Sequence, residues 1–398
     1  MTRLLLIVVL TGVLFLPGCW DRKEIDHIAF VLTYGVDQEK PGDFFHFTHL
    51  IGKPGMQGAG ENGNGSDEAY YIVTNKSKAS SMAMAGIMDF TPREMNLHHT
   101  SNVVLGEQLA RNGVEEILDR GMRCRQCRPT INVFVATGSA RELLQLSKSN
   151  LNLNPSRALV GLMEDTEGPF TAFPVQLIDF VKTFLAEGLD PVAPLVGLKG
   201  DVNKIANDEG ENDENQSENP SDEQEIKING LAVFRDDKLV GLLHGEEARG
   251  ILWGMGKKKG RFVIDYPSPG KTTISNISNK SRAKVEINDL NMPVLILEVE
   301  AKGILSDWSR LTERIDIKPH LADTIRQAMK EKIEKEIKQV ALVVQKELKA
   351  DVFGFGQVLS RNHPEIWKEI KDDWNELYSI LDLKIIVKTE IVGTGFIR

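Results

Sequence analysis

Apolar positions recur along this chain with two periods, and each predicts a kind of element. Ile28 to Val36 is rich in β-branched and aromatic residues and predicts a strand. Phe44 to Ile51 predicts a second, and Asp37–Asp43, with Pro41 and Gly42, turns between them. Six glycines and Pro54 between Gly52 and Gly65 predict a surface loop. Lys78 to Met88 is small and helix-compatible. Ser101–Gly106 and Thr130–Ala136 predict short buried strands. Between them, Glu107 to Arg120 sets Leu109, Val114, Ile117 and Leu118 on one helical face, broken at Gly113. Ser139 with Glu142 three residues on is a capping-box pattern that opens a helix. A further helix is predicted over about Pro174 to Glu187.

In the second half, Ile226–Arg235 and Lys238–Leu243 predict a hairpin turning at Asp236-Asp237. A short helix over Glu246–Trp253 precedes strands at Arg261–Tyr266, Thr272–Ile277, Lys284–Ile287 and Val294–Ala301. Leu321, Ile325, Ala328, Ile333, Ile337, Val340, Val344 and Leu348 then form one face of a helix from about His320 to Ala350. Such a helix is roughly 45 Å long at about 1.5 Å per residue. Gly354 and Gly356 mark its stop, and Pro364 suits the first turn of a helix over Glu365–Ile380. Leu383–Ile391 closes the chain as a strand.

Strands and helices do not alternate as regular βαβ units, so the pattern favours α+β domains, each with a sheet covered by helices. The expected division is a signal segment at 1–18, an N-terminal α+β domain at 19–200, an acidic linker at 201–225, a small middle α+β domain at 226–280, and a C-terminal α+β domain at 281–398 that holds the long helix.

Charge sharpens this division. The net charge of −9 is local, because nine acids and no Lys or Arg lie between Asp208 and Glu225. The remaining 48 acids equal the 48 basic residues. A stretch so polar cannot offset its ordering entropy by burial and reads as a solvated linker. No basic footprint suggests a nucleic-acid partner.

The first residues carry the clearest functional signal. Arg3 precedes an apolar run from Leu4 to Phe15, which ends at Leu16-Pro17-Gly18-Cys19. The run has the form of a secretory signal and is shorter than the roughly 20 residues of a membrane-spanning helix. Cysteine after a small residue at the cleavage point is a lipobox pattern. Cys19 is then the lipid-attachment site and the new N-terminus, a diacylglyceryl-cysteine holding the protein at the membrane. The alternative is a plain signal peptide with an incidental cysteine. About nine residues separate Cys19 from the first strand, a reach of at most roughly 30 Å.

Candidate chemistry elsewhere is sparse. Cys124-Arg125-Gln126-Cys127 has redox or half-zinc spacing but no second CxxC and no His pair to complete it. A local disulfide or two idle thiols are the favoured readings. His98 and His99 are adjacent and point apart on a strand. Gly254–Gly260 carries three lysines but not the phosphate-loop spacing. Ser81 and Ser139 lie in no nucleophile elbow, and Glu246-Glu247 are not placed as a facing acid and base. No catalytic set, metal site or cofactor site assembles, and the expectation is a non-enzyme without cofactors.

After the lipobox, Gly18-Cys19-Trp20-Asp21-Arg22-Lys23-Glu24-Ile25 closely resembles the start of the Ger(x)C family, the lipoprotein subunits of spore germinant receptors. His99 to Gly113, Val233-Phe234-Arg235 through Leu239-Val240-Gly241, and Asp351-Val352-Phe353-Gly354-Phe355-Gly356 with His363-Pro364 and Trp367 resemble further family segments, in order. The resemblance implies three α+β domains in one lipoprotein, required for spore germination. It also implies a complex with a polytopic A-type and a transporter-like B-type membrane subunit, at the outer face of the spore inner membrane. It implies no catalytic role, carries over chemically only Cys19, and leaves open whether this subunit binds a small molecule. A solute-binding lipoprotein of a transport system and an exported enzyme are the competing readings.

Overall fold

A computed structural model of the chain describes residues 24–53, 70–79, 82, 85–88, 92–147, 154–164, 170–200, 224–257, 260–266, 270–290, 292–308 and 319–393. Cys19, Ser81 and most of the acidic linker lie outside these residues. In chain order the elements are β1 (Ile28–Asp37), β2 (Phe45–Gly52), β3 (Tyr70–Ser77), α1 (Ala85–Met88), β4 (Glu94–Asn96), β5 (Asn102–Leu105), α2 (Glu107–Asn112), α3 (Glu115–Arg123), β6 (Asn132–Ala136), α4 (Ala140–Leu146), α5 (Pro155–Glu164), α6 (Leu177–Phe184), β7 (Val192–Leu198), β8 (Ile226–Arg235), β9 (Lys238–Leu243), α7 (Gly245–Gly254), β10 (Phe262–Tyr266), β11 (Gly270–Ile287), β12 (Pro293–Trp308), α8 (Pro319–Leu342), α9 (Phe355–Asn362), α10 (Pro364–Ile370), α11 (Trp374–Ile380) and β13 (Leu383–Gly393).

The fold is α+β, with its described strands in two helix-covered sheets. The first sheet runs β3-β2-β1-β5-β6-β7-β8-β9, with β4 also paired to β1. Its centre, β1, β5, β6 and β7, is parallel. This departs from the expectation that no βαβ units occur. The crossovers are divided into short helices, α2 with α3 and α4 to α6, so no long helical period marks them in the sequence. Every residue of β5 and β7 is buried, as strands covered on both faces require. Val103 faces α2, α3 and α6 through Leu109, Ile117, Leu118 and Phe180. Val104 faces α4 and α5 through Leu143, Leu144 and Leu159. Ser139 opens α4 as expected, its Oγ accepting from Glu142 N–H at 3.3 Å.

The second sheet is β10-β11-β12-β13, built on the long β11–β12 hairpin with β13 parallel to β12. It corrects the expected middle domain. The 226–243 hairpin closes the first sheet, and the boundary at 280/281 falls inside the β11 ladder, where Lys280 pairs with Glu300 and Ser281 with Val299. The reason is visible on β8. Ala232 and Phe234 enter the core of the first sheet, while Leu231 and Val233 enter that of the second. One strand serves two cores, and a composition break just before it misplaces the boundary.

The helix expected from His320 to Ala350 is α8 followed by a wider π turn over Val343–Glu347. Ile333, Ile337, Val340 and Val344 are fully buried along it, each contributing about 1.5–3 kcal/mol by leaving water. Within the π turn, Gln345 is buried, and its Nε2 donates to the carbonyls of Tyr378 and Leu381 at 2.7 Å each. The helix expected over Glu365–Ile380 is divided into α10 and α11 by a 3-10 turn at Lys371–Asp373.

Candidate functional site

Three of the four segments that resemble the family meet at one junction. Asp351 is its centre and is fully buried. Its Oδ1 accepts from Gly354 N–H at 2.8 Å and Phe355 N–H at 3.1 Å, and its Oδ2 from Gly356 N–H at 2.7 Å and the Trp374 indole at 3.2 Å. One carboxylate thus satisfies the open N–H groups that start α9 and ties α11 to them. Gly354 takes a left-handed φ of 79° to make this turn.

The loop between α6 and β7 docks onto this turn. Asp351 N–H donates to Asp190 Oδ2 at 2.7 Å, and Asp190 N–H donates to the Asp351 carbonyl at 3.0 Å. Gln357 N–H donates to the Gly188 carbonyl at 3.0 Å, and the Trp367 indole to Glu187 Oε2 at 2.7 Å. The other oxygen of Asp190 accepts from Asp236 N–H at 3.1 Å, which fixes the β8–β9 turn. Asp237 in turn accepts from Val114 N–H at 3.0 Å through its carbonyl. Backbone and carboxylate contacts thus link the 233–241 hairpin to the 351–367 segment and, through Val114, to the end of the His99–Gly113 segment, beside the apolar cores they share.

Two glycines set the closeness of this docking. A Cβ on Gly356 meets Gly188 Cα at 2.7 Å, and one on Gly188, whose φ is 67°, meets Gly356 C at 2.5 Å. Gly356→Ala is expected to lower stability by about 1–3 kcal/mol, since backbone must move to admit the methyl. Gly161→Ala, with nothing within 4 Å, serves as a control expected to be neutral or stabilising. Urea unfolding midpoints of the two variants check this.

Beside the docked loop lies a cleft of about 200 Å³, lined by Glu187, Asp190, Asp236, Trp367, Lys371 and Trp374, among others. Burial pushes the Asp351 carboxyl up to about 7 and Asp190 up to about 6, against the N–H donors that favour their charged forms. Tyr378 is buried nearby, and its hydroxyl has no hydrogen-bond partner among the described residues. No nucleophile with an adjacent base stands here, and no group of three or more metal-ligating side chains occurs among the described residues. The contacts at the junction register one half of the chain on the other.

The other residues singled out in the sequence lie apart from it. Cys124 and Cys127 are bonded to each other. His99 packs edge-on against Phe30, and His98 is exposed. Lys257 of the basic turn lies 3.9 Å from the centre of the Phe173 ring. Glu246 pairs with Lys332 and Arg249, bridging α7 and α8. Sequence reasoning missed Glu187, Gly188 and Asp190, although Gly188 and the Asp190-Pro191 pair carry a turn signal. It also missed His49, which is buried beside Tyr34 and Phe47, kept uncharged by burial that lowers it to about 4.

Comparison with known proteins gives this junction its context. A sequence model described as the spore germination protein N-terminal domain matches residues 21–198, and one described as spore germination B3/GerAC like, C-terminal, matches residues 229–395. The chain belongs to the Ger(x)C family of spore germination proteins. Among its relatives, spore germination protein KC of Bacillus subtilis (strain 168) is 26% identical over 395 residues, covering 97% of this chain and 94% of that protein. Spore germination protein B3 of the same organism is 24% identical over 389 residues, covering 96% and 95%. The crystal structure of the GerBC protein shares the fold, with a TM-score of 0.52 and 20% identity over 90% of this chain and 97% of that one.

Proposed function

We propose that this protein is a non-enzymatic, lipid-anchored accessory subunit of a nutrient germinant receptor, held at the outer face of the spore inner membrane by diacylglyceryl-Cys19. Its role is assembly or coupling with polytopic A-type and transporter-like B-type membrane subunits. The observation that carries this reading is the span of the two family matches, 21–198 and 229–395, which begin directly after the lipobox and leave only the acidic insert between them. Further support comes from α8, which is the longest described helix and is amphipathic rather than apolar. No described helix is long and apolar enough to cross a membrane.

A Cys19→Ala variant at native expression is expected to leave the spore membrane fraction and to lose nutrient-triggered germination. Fractionation with mass analysis of the N-terminus, alongside a germination assay, reads both. A variant that stays membrane-bound and germinates normally would sink the anchored-subunit reading.

A further inference from the structure

The first described residues of the chain lead into β1, whose near end shares a small core with a loop that carries three arginines. β1 begins at Ile28 after a 3-10 turn over Ile25–His27. The Cys124–Cys127 disulfide packs on the small core of Ala29, Val31, Ile51, Met95 and Leu97 at this end of β1. Leu97 N–H donates to Gln126 Oε1 at 3.3 Å and holds the loop in place. Arg125 and Arg128 project from it, exposed and with no ion pair among the described residues. Arg123, held by Asp119 at 2.7 Å, starts the loop, and the exposed His98 and His99 directly follow Leu97, to which the loop is bonded.

Four residues lie between Cys19 and Glu24, so five Cα steps join them. That length of chain spans at most roughly 18 Å. A lipid on Cys19 therefore brings this end of the first sheet to within a short distance of the headgroups. Fixed arginines at such a distance gain from a negative lipid surface, and the disulfide has already ordered the loop that carries them.

We propose that the Arg123–Arg128 loop, with His98 and His99 beside it, is the face that lies against anionic phospholipid headgroups and sets how the body stands on the membrane. This rests on the reading of Cys19 as the lipid anchor. The partner is the membrane surface itself, selected by its negative charge.

The test uses the chain from residue 19 onward with Cys19→Ser, so that no lipid contributes. Its binding is measured on vesicles of phosphatidylcholine alone and of phosphatidylcholine mixed with phosphatidylglycerol. Binding is expected only to the anionic vesicles and is expected to fall as salt is raised. The Arg125→Gln/Arg128→Gln variant is expected to bind roughly thirtyfold more weakly, about fivefold for each basic side chain removed. A Lys335→Gln/Lys338→Gln control on the exposed side of α8 is expected to bind as the parent does. Circular dichroism and melting temperature show that each variant is folded. A folded double-arginine variant that binds like the parent, or a parent indifferent to lipid charge, overturns the proposal. If the natural protein is lipidated and membrane-bound while its Cys19→Ser form ignores lipid charge, the docking face fails and the anchor stands. If the natural protein carries no lipid yet selects anionic vesicles through these arginines, the anchor fails and the docking face stands.

Discussion

Replacing Asp351 by Ala is expected to be among the most destabilising single changes in this chain, costing about 4 kcal/mol or more. The side chain accepts from three backbone N–H groups and one indole in a fully buried setting. Each donor left unpaired there costs about 1–3 kcal/mol, partly offset by no longer burying a carboxyl. The lost start of α9 also frees the Gly188–Asp190 loop, so both halves of the junction loosen together. Asp351→Asn keeps one acceptor oxygen but turns an amide toward donors, and should fall between the parent and Asp351→Ala. Urea unfolding of the three proteins, followed by tryptophan fluorescence from Trp367 and Trp374, orders them. Equal stability of parent and Asp351→Ala would show that the junction does not hold the fold.

The same pair gives a pH dependence of definite sign. Asp190 and Asp351 are raised by burial to about 6 and about 7, from ordinary values near 3.8. The folded state therefore binds their protons more tightly than the unfolded chain. Stability from these groups is fully present below the unfolded value and is lost as pH rises through the folded ones, between about 4 and 7. Asp236 lies against Asp190 and pushes in the same direction, while Arg235 opposes it. The parent should lose stability across that window, and Asp190→Asn should flatten the loss.

The sequence made some of this junction legible and hid the rest. The 351–356 run announced a helix stop with two glycines, and Pro364 announced the start of α10, because both act through local backbone geometry. What each glycine touches was not readable, since Gly188 and Gly356 meet across 168 residues of chain. The hairpin at 226–243 is legible as a hairpin, but its place at the edge of the first sheet is not. Its alternation is that of a strand with two apolar faces, and periodicity cannot say which sheet it joins. The parallel centre of the first sheet escaped for a related reason, since its crossovers are broken helices with no sustained period. On α8 the apolar stripe is legible, but Met329 and Glu336 are buried along it as well. Glu336 lies between Ile333 and Ile337 on the same face, and its charge argued for solvent when its partners argued otherwise.

Those partners make Glu336 the second position where a large effect is expected. Its side chain is fully buried. Oε1 accepts from Arg249 at 2.6 Å, and Oε2 accepts from Arg249 at 2.9 Å and from the Trp253 indole at 2.9 Å. Arg249 is itself only 14% exposed, and Lys332 and Glu246 complete the cluster at its rim. Glu336→Ala leaves a nearly buried guanidinium with only the rim carboxylate of Glu246 at 3.5 Å and a buried indole N–H without its acceptor, and is expected to cost about 3–5 kcal/mol. Arg249→Ala leaves the buried carboxylate with only the Trp253 indole and Lys332 at 3.8 Å, and should cost a similar amount. The double change Glu336→Leu/Arg249→Met removes both charges while keeping volume, and should recover the part of the loss that comes from an unpaired buried ion, while the Trp253 indole stays without its acceptor. Melting temperatures of Glu336→Leu, Arg249→Met and the double variant that combines them form the cycle. If the losses simply add, the pair is not coupled, and the packing of α7 on α8, where Gly250 lies under the Glu336 carbonyl, carries the contact without it.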